Sequence, residues 1–139
     1  MKNNSCIKNI IYLILIVVLF TVGVLLLTNY KFQLQRTFEH NLVYITFIII
    51  IFFGGIGIVL GLDNHNVLLK KEGTLKVDKP KLLILGIPSF IFSTAYIWGY
   101  LGLGNIIPNI FLYLIENDYI VVISSIILGY TVTSSFYKN

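Results

Sequence analysis

The sequence is short of almost everything that a water-facing domain needs. Only 12% of its 139 residues are charged, whereas a soluble domain carries roughly 25%, so an ordinary globular enzyme fold is excluded. The single cysteine, Cys6, can close no disulfide within the chain and says nothing about redox compartment. Alanine occurs once, as Ala95, arginine once, as Arg36, and proline three times. Low hydrophobicity, the mark of a disordered chain, is missing too: 57% of the residues are apolar and the mean hydropathy is +0.88. What is left is a membrane protein. The 24 isoleucines and nine lysines against one arginine follow the codon bias of an AT-rich genome and point to a bacterial source. The formal charge of +4 does not make nucleic acid an expected partner, because that requires a solvated basic face and most of this chain is too apolar to be in water.

Crossing a hydrocarbon core ~30 Å thick takes about 20 apolar residues. Three uncharged runs meet this directly, at about 10–28, 42–62 and 119–136. A fourth, from Leu82 to Ile115, is uncharged for 34 residues, which as one helix would be about 51 Å long and must break. Gly102–Asn105 followed by Pro108 is where it breaks, since glycine ends helices and proline opens the next. The third span is therefore about 82–101, and the residues from Pro108 to Ile115 are expected to form a short helix in the interface or a loop packed over the bundle mouth, with a re-entrant segment as the alternative. The expected fold is all-α, a bundle of four transmembrane helices in one integral membrane domain over 1–139. The first run is longer than a signal peptide core and no small-x-small site follows it, so it is expected to stay as an anchor.

Orientation follows from lysine. With four spans, Lys2, Lys8, Lys70, Lys71, Lys76, Lys79, Lys81 and Lys138 fall on one side and only Lys31 and Arg36 on the other. The positive-inside rule then places both termini and the connector 63–81 in the cytoplasm of a multi-pass cell-membrane protein. Tyr30, Tyr44, Trp98, Tyr100, Tyr113 and Tyr119 gather at the outer boundary, as amphipathic rings do.

Chemistry is scarce. No span contains an ionisable residue: the six acids (Glu39, Asp63, Glu72, Asp78, Glu116, Asp118), His40, His65 and all ten bases lie in connectors or tails. An intramembrane charge is the usual mark of a proton or ion pathway, so proton-coupled transport is disfavoured. His40 and His65 face opposite sides, and neither side musters the three or four ligands of a zinc site. No catalytic residue, cofactor or metal is expected, and the chain is read as not an enzyme.

Two features carry pattern. Small residues form stripes: Gly54, Gly57 and Gly61 in the second span, Gly86, Ser89 and Ser93 in the third, and Ser125, Gly129 and Thr133 in the fourth. Such stripes admit close helix approach, and packing within the monomer is the preferred reading, ahead of self-association or a narrow solute path. Pro88 is expected to disturb the third helix by removing the bond to the Ile84 carbonyl. In the connector, Leu68–Lys71 and Thr74–Val77 flank Glu72-Gly73 and read as a small hairpin. Lys70, Lys71, Lys76, Lys79 and Lys81 there are placed to touch anionic lipid or a protein partner. The expected partners are the bilayer, and another membrane protein or a second copy. The functional expectation is a non-enzymatic interaction, accessory or protective subunit, with an oligomeric small-solute channel, exporter or holin-like pore as the alternative.

Overall fold

A computed structural model describes residues 3–37, 41–69, 74–102, 113 and 117–138 of the chain. It is mostly helical, and two helices, Ile7–Arg36 and Leu42–Leu62, are long and apolar enough to cross a membrane. The first helix, α1 (Asn3–Thr37), runs past both ends of its apolar stretch, because nothing between Leu27 and Arg36 breaks it. The Thr28 hydroxyl returns to the Val24 carbonyl (2.8 Å) and keeps the turn intact.

The second rod opens at Asn41, whose side chain accepts the Tyr44 N–H (3.1 Å), as helix-capping asparagine does. It runs through α2 (Leu42–Ile48), a π-helical turn (Ile49–Phe53) and α3 (Gly54–Leu69) without leaving helical geometry. The apolar part of this rod, Leu42–Leu62, has the bounds expected of the second span, and the helix continues beyond it. Asp63 to Leu69 stay helical, which leaves Leu68 and Leu69 unavailable as a strand and overturns the hairpin drawn there. Strand β1 (Leu75–Val77) does form, but it pairs with β2 (Phe136–Lys138), antiparallel and with Lys76 opposite Tyr137.

The third rod starts at Asp78, which accepts the Lys81 N–H (3.2 Å) on its carboxylate. It proceeds through α4 (Lys79–Lys81), a second π-helical turn (Leu82–Gly86) and α5 (Ile87–Ser93), bends at Thr94 and continues as α6 (Ala95–Tyr100). The wide turn lies directly before Pro88, so the missing proline donor is absorbed by widening the ladder. The bend at Thr94 has its own cause. Its hydroxyl donates to the Phe90 carbonyl (2.6 Å) and accepts the Trp98 indole N–H (2.9 Å), competing with the helical ladder. Gly102 follows the rod with φ +83°, a left-handed stop that glycine adopts without strain. The segment 108–115, read as interfacial, lies outside the described residues except for Tyr113.

The last helix, α7 (Asp118–Ser134), stops two residues short of the expected Phe136. The hydroxyls of Thr133, Ser134 and Ser135 turn back onto carbonyls four residues earlier, and the Asp78 N–H donates to the Ser135 carbonyl (2.8 Å), so the chain leaves the helix into β2.

Neighbour contacts fix the directions. Tyr30 meets Tyr44 and Gly23 meets Phe52 and Phe53, so α1 is antiparallel to the second rod. Gly54 faces Ser125 and Gly61 faces Thr133, so α3 and α7 run parallel. Gly86 faces Thr131 while Tyr96 meets Asp118, so the third rod is antiparallel to α7. Residues Tyr30, Ile45, Ile49, Phe53, Ile56, Ala95, Tyr96 and Val121 make the core between them. The start of α1, the end of α3, the β1–β2 ribbon and the end of α7 therefore share one end of the bundle.

Candidate functional site: a glycine crossing and two polar ends

The small-residue stripes of the second and fourth helices meet each other. At Gly57 a β-carbon would collide with the Ile126 carbonyl and stand 2.7 Å from the Tyr130 nitrogen; at Gly129 it would collide with the Gly54 carbonyl. At Gly61 it would sit 2.6 Å from the Thr133 β-carbon. Gly54 is looser, with 3.6 Å to the Ser125 carbonyl. Backbone thus lies on backbone, the arrangement that small residues every fourth position permit. Gly86 of the third rod is roomier, 3.8 Å from the Thr131 methyl.

The hydroxyls along these stripes are turned onto their own helices. Ser125 is fully buried and donates to the Val121 carbonyl (2.9 Å); Ser93, also fully buried, donates to Phe90 (3.0 Å); Thr133 donates to Gly129 (2.7 Å). Ser89 is buried as well. Thr131 differs: it is buried and its hydroxyl has no partner.

One end of the bundle carries an ion pair that the sequence reading did not single out. Asp118, at the first turn of α7, pairs with Lys31 of α1 and accepts a hydrogen bond from the Tyr96 hydroxyl of α6. Three helices meet at this carboxylate. Tyr30, the residue before Lys31, is buried and packs on Tyr44 (6.1 Å between ring centres). The available signal was depth: Lys31, Tyr96 and Asp118 each lie a turn or so from the same expected boundary, but which helices adjoin was not legible.

The opposite end carries the lysines. Lys76 and Lys79 are exposed, whereas Lys81 lies over the Tyr130 ring (5.2 Å) and donates to the Ser134 carbonyl (3.4 Å). Lys70 and Lys71 lie outside the described residues. Among the described residues no three His, Cys, Asp or Glu side chains gather where they could hold a metal ion. Comparison with family models, with curated proteins and with solved structures found no match.

Proposed function

We propose that the chain is a four-span membrane protein with both termini and the ribbon end of the bundle in the cytoplasm, working without catalysis as an accessory, interaction or protective subunit of a larger membrane process. The observation that carries this is the fate of its polar content. The hydroxyls of Ser93, Ser125 and Thr133 are bonded to their own backbone, and Gly57 and Gly129 are closed by each other's helices. Packing of the monomer uses up the stripes of the second and fourth helices, so contact with other molecules falls to the outer faces. The first helix is the most open of these: its apolar stretch is 6% buried, against 56% for the second. The pore alternative needs the same hydroxyls to face a hydrated lumen, and the full burial of Ser93 and Ser125 speaks against it.

Cysteines placed at Ser89, Ser93, Ser125 and Thr133, in a Cys6→Ser background, test the reading. In native membranes all four are expected to resist a small water-soluble thiol reagent. Rapid labelling along the stripe would replace this reading with a water-filled path.

A further inference from the structure

We propose that the ribbon end of the bundle binds the headgroups of anionic phospholipids, with Lys76 and Lys79 as the contact residues and Lys81 as the residue that builds their platform; this rests on the four-span reading above. The three lysines occupy six consecutive residues, yet the structure divides them. Lys81 is engaged on the last turn of α7, where its ammonium meets the Ser134 carbonyl and the Tyr130 ring, a favourable place for a cation at a helix C-terminus. Asp78, the acid between the other two, is engaged as well: its carboxylate caps the third rod and its N–H holds the Ser135 carbonyl. Lys76 and Lys79 flank this junction with exposed side chains. Lys8, also exposed, lies at the same end at the foot of α1.

Charge alone would suit any polyanion. The ribbon adds a second requirement, because Val77 and its strand partner Phe136 are exposed apolar residues, 42% and 38% accessible, set among the lysines. A lipid surface satisfies both groups at once, apolar side chains toward the acyl boundary and ammonium groups among the phosphates. A soluble polyanion would leave Val77 and Phe136 in water.

The experiment uses the full chain reconstituted in phosphatidylcholine vesicles with spin-labelled phosphatidylglycerol or phosphatidylcholine as probe, reading the lipid fraction immobilised on the protein. Wild type is expected to prefer phosphatidylglycerol, and the double variant Lys76→Gln/Lys79→Gln to lose that preference, by roughly fivefold or more since each surface lysine is worth about that factor in local association. High salt should weaken the wild-type preference as it screens exposed charge. Lys81→Gln should keep the preference while lowering the melting temperature. An unchanged preference in the double variant, or displacement of the lipid by soluble glycerol phosphate at equal phosphate concentration, overturns the proposal. Topology is read on the same variants by cysteine labelling. A preference retained by the double variant with four spans intact counts against this inference alone, whereas a chain that does not cross four times counts against the reading beneath it.

Discussion

At Gly57 and Gly129 a single methyl group meets backbone, which cannot rotate away, so the cost of alanine is set by helix separation. Overpacking of this kind costs about 1–3 kcal/mol, and Gly57→Ala or Gly129→Ala is expected to lower the melting temperature in detergent by several degrees. Gly55 is the internal control, since its β-carbon would meet only the Leu19 side chain at 3.5 Å. Gly55→Ala should leave stability unchanged or raise it by up to about 1 kcal/mol through helix propensity. Thr131 makes the converse case. A buried hydroxyl without a partner carries a desolvation penalty of roughly 1–3 kcal/mol, so Thr131→Val should stabilise the protein, and a drop in melting temperature would show that the hydroxyl is paired. The stripes themselves were visible in the sequence, because four-residue spacing of Gly, Ser and Thr on an apolar helix is a local pattern. Which stripe meets which was not, since Gly57 and Gly129 are brought together only by the order of the helices.

Elements show the same division. The strand at Leu75–Val77 was legible from its alternation, but its partner was not: Phe136–Lys138 lies some 60 residues along the chain, where no turn signal announces the pairing. A disulfide distinguishes the two pairings. Lys76→Cys with Tyr137→Cys, in a Cys6→Ser background, should close under mild oxidation, because directly opposed strand residues stand about 4.5–5.5 Å apart at Cα and disulfides span that distance. Lys76→Cys with Leu69→Cys should not; closure of that pair instead would restore the hairpin. The bends in the third rod were half legible. Proline marked the first, whereas the turn at Thr94 arises from a hydroxyl shared between Phe90 and Trp98, which composition does not reveal. The carboxylate of Asp118 ties α1, α6 and α7 together, so Tyr96→Phe and Asp118→Asn should each destabilise the bundle. Their combination should cost less than the sum, as contacting residues do; full additivity in a double-mutant cycle would mean that the two side chains do not interact.

For the whole molecule, helix packing puts Lys8, Lys76, Lys79 and Lys81 at one end and Lys31 and Arg36 at the other. This is the division of charge that the proposed four-span topology requires. The account stands on that end facing the cytoplasm, with the chain crossing the bilayer between the two. Single cysteines at Lys8, Lys76 and Gln35, each in a Cys6→Ser background, measure it in intact cells with a membrane-impermeant thiol reagent. Gln35→Cys should label from outside, and Lys8→Cys and Lys76→Cys only after the membrane is permeabilised. Labelling of Lys76→Cys in intact cells, or protection of Gln35→Cys there, would contradict the account.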